Sequence, residues 1–449
     1  MSSASPTAAP DVSRRDLLSV IGSSVLVALP ISLVAMGFLD LVDTLQNWVW
    51  KTAPADLGLD AAPWWWPVPW LLLAGLLVAT AISLLPGRGG HIPANGTGGG
   101  ATPPSAVAGV FLAALAGLPL GVVLGPEAPL IAIGTGLAVW MSRVARMSPH
   151  GRLEALVGTA GAAAAISIVL GNPLTAVVFL AEAVAIAGGP VIAATLPALL
   201  GVGVGALLFS GLGDTPGVKN QSLQLVRLDS VPTPVVGDLL WAVPVGIVAA
   251  LVMTGVYAAG RRVAERVGPM SRGRLVVATM GVALLVALCA SGYALVTGRD
   301  PFDVASSGTA TLAAITSDTS SWGSAALVAL IVFKGLAYAL SLGAFRGGPI
   351  FPAIMIGGAL GVLIAPLPGL GVTGGLAVGM AAFAAAAMRM PLSSVALTLL
   401  LFGPYATEVF PEVAIAAVTA YAMRVVLDRR SAASAARVGT EAGTPERAG

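Results

Sequence analysis

Two short motifs in apolar sequence carry the residues best suited to bind a charged ligand. The first, Gly125–Gly134, reads G-P-x-x-P-x-I-x-I-G, and Gly348–Gly357 repeats that pattern about half a chain length later. Glycine breaks a helix and proline fits the first turn of the next one, so each motif predicts a helix that begins inside an apolar region. Because a helix N-terminus presents free N–H groups and about half a positive charge, two converging N-termini would bind a small anion.

Glu127 lies inside the first motif, and its counterpart in the second is Ile350. A carboxylate at membrane depth is costly, which makes it a candidate functional group. On a helix N-terminus it would occupy the anion site itself and leave when it is protonated or when an anion arrives. It would then act as a gate that links protons to anions. The alternatives are a Glu that only caps its helix and Gly–Pro pairs that only kink packed helices.

Other charges and a glycine-rich loop are secondary candidates. Glu182 is predicted to form an ion pair or to face a cavity, and Lys334 and Arg389 to lie at helix ends or in ion pairs. Arg346 is predicted to add positive potential at a pore mouth or to extend to the interface. The loop 87–93, G-R-G-G-H-I-P, could bring a third backbone patch to the site. The candidate anion-binding residues are Gly90, His91, Ile92, Gly125, Pro126, Ala128, Gly348, Pro349, Ile350 and Phe351.

Metal, nucleotide and catalytic sites are not indicated. His91 and His150 are the only histidines and Cys289 is the only cysteine, so neither a histidine-based nor a thiolate metal site is expected. The glycine-rich loop has no Walker pattern and follows no strand. There is no paired-aspartate motif, no H-E-x-x-H and no glycine-flanked serine with a histidine partner. We therefore expect no cofactor and no enzymatic activity.

The elements that position these residues are predicted to be membrane helices. Of 449 residues, 57% are hydrophobic and 10% are charged, and the mean hydropathy is +0.92. This is too little charge for the surface of a soluble fold. Ten or eleven apolar segments follow one another, several too long and several too short for one crossing of a ~30 Å hydrocarbon core. The fold class is therefore an all-α integral membrane bundle of tilted, broken and re-entrant helices.

The chain is divided by a repeat. A second pair of motifs, N-P-L-T at Asn172 and M-P-L-S at Met390, follows the first pair in the same order and at a similar offset. Duplicated halves are typical of transporters and channels, although the sequence leaves open whether the halves are parallel or inverted. We predict membrane halves at residues 15–215 and 216–427, between disordered tails at 1–14 and 428–449.

The positive charges predict the orientation. Arg14 and Arg15 precede the first apolar segment, and Arg429 and Arg430 follow the last one. The positive-inside tendency places both termini, and the basic stretch 261–274, in the cytoplasm. A multi-pass protein of the plasma membrane is expected.

These motifs resemble those of the CLC family of chloride channels and chloride/proton exchangers. Gly125–Pro129 is similar to the family's G-[K/R]-E-G-P, Gly348–Pro352 to its G-x-F-x-P, and Gly89–Pro93 to its G-S-G-I-P. The order and separations match, and the resemblance spans about residues 17–427. It implies an inverted-repeat helical fold, a homodimer with one anion pathway in each subunit, and Glu127 as the gating glutamate.

Several positions depart from the family pattern. The family's central serine falls on Gly90, its next glycine on His91 and its motif phenylalanine on Ile350, and no recognisable segment bears its pore tyrosine. The site is therefore expected to be lined more by backbone groups than by hydroxyl groups. The family's second, inner glutamate falls on Ala183, next to Glu182. A passive channel and a proton-coupled exchanger thus both stay open, as do chloride, nitrate and fluoride.

A cation-coupled transporter of another small solute is the alternative function. It would also have repeats and broken helices. However, it would be expected to carry more polar residues and more carboxylates inside its spans than this sequence has. Transport of a small inorganic anion, with chloride first, is the function that the sequence favours.

Overall fold

The computed structural model describes residues 14–96, 102–145, 152–188, 191–212 and 236–442, and these residues fold into sixteen α-helices without a β-strand. The N-terminal tail up to residue 13 and the predicted boundary between the halves at 215/216 lie outside them. The helices before that boundary are α1 (Arg14–Asn47), α2 (Ala53–Asp56), α3 (Pro67–Leu84), α4 (Val107–Gly117), α5 (Glu127–Val144), α6 (Arg152–Leu170), α7 (Pro173–Ile186) and α8 (Val191–Leu212). Those after it are α9 (Val236–Val267), α10 (Arg272–Thr297), α11 (Thr309–Ser317), α12 (Ser324–Ala344), α13 (Ile350–Ile364), α14 (Gly371–Met388), α15 (Pro391–Phe402) and α16 (Ala406–Ala442).

The described helices confirm a multi-pass membrane protein. Eight helical spans among them are long and apolar enough to cross a bilayer, and α6, α7 and α13 are apolar but shorter. Large apolar side chains are exposed along several of the long helices, as lipid contact requires. The fold class predicted from the sequence is therefore confirmed.

Three of the overlong apolar segments are each two helices, broken where the apolar run is interrupted. One segment divides into α4 and α5 before Glu127, another into α6 and α7 at Gly171, and a third into α14 and α15 at Arg389. Proline is the first residue of both α7 and α15, where its missing N–H has no intrahelical partner to lose. Asn172 caps α7 by accepting a hydrogen bond from Thr175 N (3.1 Å).

The two halves pack in the same way. In the first half α6 packs against α1, α5, α7 and α8, and in the second half α14 packs against α9, α13, α15 and α16. The pairs α3 with α4 and α10 with α12 also correspond. Two further contacts, α3 with α10 and α7 with α15, join equivalent helices of opposite halves. These contacts relate the halves by a pseudo-two-fold axis. The antiparallel bridge between the starts of α5 and α13 then favours inverted halves, one of the two cases that the sequence left open.

Glycine lets the equivalent helix pairs approach to backbone contact. Gly134 of α5 lies against the carbonyl of Gly161 in α6, and Gly357 of α13 lies against that of Gly379 in α14. A Cβ at any of these positions would overlap a backbone oxygen. Small residues at such crossings are how membrane helices pack closely, since lipid provides little hydrophobic drive between them.

The C-terminal end corrects one prediction. The sequence predicts disorder from residue 428 onwards, but α16 continues through this stretch to Ala442. The stretch after Arg430 is rich in alanine and the first proline comes only at Pro445, so local helix propensity extends the helix beyond the apolar segment.

Replacing Gly357 with leucine is expected to prevent correct packing of α13 on α14. The added side chain meets the Gly379 carbonyl, and overpacking costs about 1–3 kcal/mol or more when backbone is the obstacle. The yield of monodisperse protein in detergent and its thermal unfolding measure the effect. Gly281→Leu on α10 is the matched control, because no atom lies within 4 Å of a Cβ there. Equal behaviour of the two variants would contradict this packing.

Candidate functional site

The two G-P motifs meet in the protein interior. Gly125 N donates to Gly348 O (2.7 Å) and Gly348 N donates to Gly125 O (2.6 Å), which forms an antiparallel bridge just before α5 and α13. The two helices therefore begin beside each other and run in opposite directions. Trp140 and Arg143, near the end of α5, are exposed, and about 20 Å of helix separates Trp140 from Glu127. The shared starting point therefore lies deep in the helical bundle.

Glu127, the first residue of α5, reaches across to the N-terminus of α13. Its side chain is 1% exposed, and Oε1 accepts a hydrogen bond from Phe351 N (3.1 Å). The carboxylate also lies against the N–H of Ile350. Oε2 has no well-formed hydrogen bond among the described residues. The carboxylate thus occupies the kind of position in which a helix N-terminus binds an anion.

The two bridging glycines make room for this carboxylate. A Cβ on either Gly125 or Gly348 would overlap the Glu127 carboxyl group. The N–H of Ala128 also lies close to Gly348. The structure therefore brings together the predicted residues Gly125, Glu127, Ala128, Gly348, Ile350 and Phe351, with Pro126 and Pro349 directly before the two helices.

Two buried tyrosines stand beside the motifs and were missed in the sequence. Tyr338 donates to the carbonyl of Pro349 (2.6 Å), and Tyr257 donates to that of Ala387 (3.0 Å). Their hydroxyls interact with each other, and both side chains lie within electrostatic range of Glu127. Two hydroxyl groups therefore lie near the motifs, although the described hydrogen bond to the Glu127 carboxylate from the α13 N-terminus comes from backbone. The sequence offers little signal for these tyrosines, since four of the five tyrosines lie inside long helices and nothing in the sequence separates these two from Tyr293 and Tyr421.

Two cavities lie at different ends of the bundle, and one of them reaches the motifs. One, of about 340 Å³, is bordered by Asn47 at the end of α1 and by Pro126 and Phe351 of the motifs. The other, of about 470 Å³, is bordered by Arg346 and by Gly268 after α9. We call them the α1-end cavity and the α9-end cavity. Because α1 and α9 are equivalent in inverted halves, their C-terminal ends lie on opposite faces of the membrane.

Lys334 supports the wall of the α1-end cavity. Its side chain is fully buried, and Nζ donates to four successive carbonyls, those of Asp303, Val304, Ala305 and Ser306, at 2.9–3.3 Å. Lys334 therefore lies inside α12 and donates to backbone carbonyls, whereas the sequence predicted a helix end or an ion pair. Its donors are all used by this loop.

The loop 87–93 reaches the α9-end cavity. Gly90 and Ile92 line that cavity, and buried Arg346 holds the loop by donating from Nε to Arg88 O (3.2 Å). Arg346 also donates to Phe345 O (3.0 Å), so it neither faces the interface nor forms an ion pair within the described residues. The His91 side chain is exposed, with Nε2 3.0 Å from Gly96 O. No described contact joins this loop directly to Glu127.

Glu182 caps a helix of the other half. It accepts hydrogen bonds from Leu392 N (3.1 Å), Ser393 N (2.7 Å) and Ser393 Oγ (2.5 Å), at the start of α15. These contacts satisfy free N–H groups of that helix and place a negative charge at its positive end. Arg389, by contrast, does pair as predicted, at 3.0 Å from Asp428.

A match to a known family decides the identity of the fold. The sequence profile described as voltage gated chloride channel matches residues 91–424, about three quarters of the chain. The chain belongs to this voltage-gated chloride channel family, the CLC family. It is accordingly a membrane transport protein rather than an enzyme, and the alternative of a cation-coupled transporter has no support from the family.

Relatives and solved structures agree with this assignment. Two relatives are named as putative ion-transport proteins YfeO, one from Escherichia coli and one from Escherichia fergusonii. Each is 28% identical to this chain over 357 residues, which cover 78% of this chain and 80% of the relative. A slow cyanobacterial Cl⁻/H⁺ antiporter has a similar structure, with a TM-score of 0.72 at 16% identity over 92% of this chain and 98% of that one. A CLC-type fluoride/proton antiporter gives a TM-score of 0.67 at 18% identity over 92% and 96%. These structures share the CLC fold with this chain.

Replacing Glu182 with alanine is expected to lower thermal stability while leaving any proton movement intact. The substitution uncovers the first N–H groups of α15, a loss that costs about 0.5–2 kcal/mol for a helix cap. Glu182→Gln keeps one acceptor oxygen and is expected to fall between alanine and wild type. Thermal unfolding in detergent and proton flux in liposomes provide the two readouts. Unchanged stability with lost proton flux would mean that Glu182 carries protons instead.

Proposed function

We propose that this chain moves a small inorganic anion, chloride first, across the membrane by way of the two helix N-termini that Glu127 joins. The observation that carries the proposal is the buried Glu127 carboxylate on the N–H of Phe351. A carboxylate there is a covalently attached anion in an anion site. The α1-end cavity, which Pro126 and Phe351 border, would give an external anion access to the same N–H groups. The α9-end cavity, lined by Gly90 and Ile92, would serve the opposite face.

The N-termini suit transport because they bind an ion only moderately. A charge at a helix N-terminus gains about 0.3–1 kcal/mol at the surface and up to ~2 kcal/mol when partly buried. Conduction needs a site that is favourable enough to enter and weak enough to leave. Backbone N–H groups of Ile350 and Phe351 meet that need without the permanent charge of a lysine or arginine at the same place.

Glu127 would gate the pathway by competition. While the carboxylate holds the Phe351 N–H, an anion is excluded by like charge and by lack of space. Protonation removes the charge and weakens the hydrogen bond, so the side chain leaves and an anion enters. Binding of a proton at Glu127 and of an anion at α13 would therefore favour each other, as linkage requires.

This linkage allows either of two modes. If the proton and the anion must move in opposite directions during one cycle, the protein is an exchanger, as are the Cl⁻/H⁺ and fluoride/proton antiporters of similar fold. If the Glu127 side chain swings out without a proton crossing, the protein is a channel. Glu182 is engaged at the start of α15, so any proton route through it would first have to break that helix cap.

We propose the plasma membrane as the location, with the termini and the α9-end cavity on the cytoplasmic side. Support comes from the arginines at both ends of the chain and around the end of α9. A homodimer is part of the proposal because it is the arrangement expected from the resemblance to the CLC family. It would cover part of an apolar surface on the neighbouring helices α7, α8 and α15, where Leu174, Ile192 and Leu392 are 66–91% exposed.

Replacing Glu127 with alanine is expected to abolish coupled proton movement while chloride still crosses. Chloride efflux and internal pH are measured together in liposomes that contain purified protein. Glu127→Gln, which resembles the protonated side chain, should give the same uncoupled flux and remove its dependence on pH. Glu265→Gln, a change to an exposed carboxylate on α9, is the control and should match wild type.

Wild-type proton flux that is lost with Glu127→Ala would identify an exchanger. Chloride flux without protons, ungated in the Glu127 variants, would identify a channel. Absence of anion flux from folded wild-type protein, for chloride, nitrate and fluoride alike, would overturn the proposal.

A further inference from the structure

The last described helix, α16, carries a guanidinium in the protein interior. The side chain of Arg424 is fully buried, and its Nη1 and Nη2 atoms have no hydrogen-bond partner in the part of the chain that the structure describes. Its Nε lies 3.6 Å from Asp428 Oδ1, beyond hydrogen-bond distance. Buried donors without acceptors are costly, and those of a charged group most of all. A bound group from outside the polypeptide is therefore expected to accept hydrogen bonds from Nη1 and Nη2.

The charges around Arg424 leave an excess of positive charge. Asp428 is shared with Arg389, which approaches it more closely, at 3.0 Å. Arg261 also lies within electrostatic range of Arg424. Around Arg424, two further cations, Arg389 and Arg261, thus accompany a single carboxylate, which is about a third exposed. The missing partner of Arg424 should accordingly be an anion rather than a further donor or a cation.

The two buried tyrosines connect Arg424 to the helix N-termini. The guanidinium lies over the ring of Tyr257, 5.1 Å from its centroid. The Tyr257 hydroxyl interacts with that of Tyr338, which in turn lies 2.6 Å from Pro349 O, at the start of α13. Tyr257 and Tyr338 are each within electrostatic range of both Glu127 and Arg424. The tyrosine pair therefore stands between the Glu127 site and Arg424.

We propose that Arg424 binds a small monovalent inorganic anion at a second site, between Glu127 and the arginine-rich face of the protein. This inference deepens the proposed function, since the anion would pass from one site to the other. Nη1 and Nη2 are available as a pair, and the guanidinium lies over the Tyr257 ring. A planar fork of donors matches two oxygens of a planar oxyanion, so the site should favour nitrate over chloride.

In this proposal Asp428 competes with the bound anion for Arg424, instead of stabilising the fold as an ion-pair partner. Its carboxylate, close to Arg424 and charged like the ligand, would repel an incoming anion and compete for the guanidinium. Removing that charge should strengthen anion binding. If the Arg424–Asp428 pair served only to stabilise the fold, removing either partner would instead weaken stability and leave binding unchanged.

Calorimetric titration of the purified full chain in detergent tests the site, with sodium nitrate and sodium chloride as probes. Since Glu127 fills the helix site, binding to the otherwise wild-type protein reports on Arg424. Arg424→Gln is expected to weaken nitrate binding about tenfold or more, since a charge-assisted hydrogen-bonded pair is lost. Arg424→Lys keeps the charge without the fork and should weaken nitrate binding more than chloride binding. Asp428→Asn should tighten both.

Unchanged nitrate and chloride affinities in Arg424→Gln would overturn the second site, as would weaker anion binding in Asp428→Asn. If Arg424→Gln fails to fold, the Asp428→Asn and Arg424→Lys titrations still decide. If anion flux depends on Glu127 but anion affinity is the same with and without Arg424, the second site is rejected and the proposed function stands. Absence of both binding and flux in the wild type would reject the proposed function as well.

Discussion

The two hydrogen bonds between Gly125 and Gly348 are the constraint on which the rest of the site depends. They hold the first turns of α5 and α13 against each other in the protein interior, where free N–H groups need partners. The backbones approach this closely because neither residue has a side chain. The space that two Cβ atoms would fill is taken by the carboxylate of Glu127, which itself satisfies part of the exposed helix end.

The packing around this bridge explains how such a costly arrangement persists. Each of the two helices is backed by a partner, α6 or α14, at a glycine contact that brings backbone against backbone. Such an interface leaves little freedom to tilt, so the N-termini cannot separate without disturbing two helix pairs at once. Lys334 and Arg346 add local support by binding carbonyls of the two loops that approach the site. The charged groups near the pathway are thus mostly occupied in holding backbone.

Much of this could be predicted from the sequence, because it depends on local signals. Glycine and proline within apolar segments gave the helix breaks, and their recurrence at a nearly constant offset gave the halves. The roles of Glu182 and Lys334 could not be predicted, since their partners are backbone groups distant in the sequence that carry no sequence signature. Tyr257 and Arg424 were missed for a related reason. Only the packing of α9 against α16 shows that an aromatic ring and a guanidinium from opposite ends of the second half are in contact.

An inverted repeat treats the two faces of the membrane alike, and this has a consequence for direction. If both halves had the same side chains, the protein would present the same structure to both compartments. Conditions on one side of the membrane would then affect transport in the same way as conditions on the other side. Inward and outward movement of the anion can differ only because of positions at which the two halves carry different residues. Glu127 opposite Ile350 is one such position, and Lys334, whose counterpart by the same offset is Phe111, is another. Any rectification in this protein should therefore be encoded in a few mismatched pairs, and exchanging the members of one pair should reverse its sense.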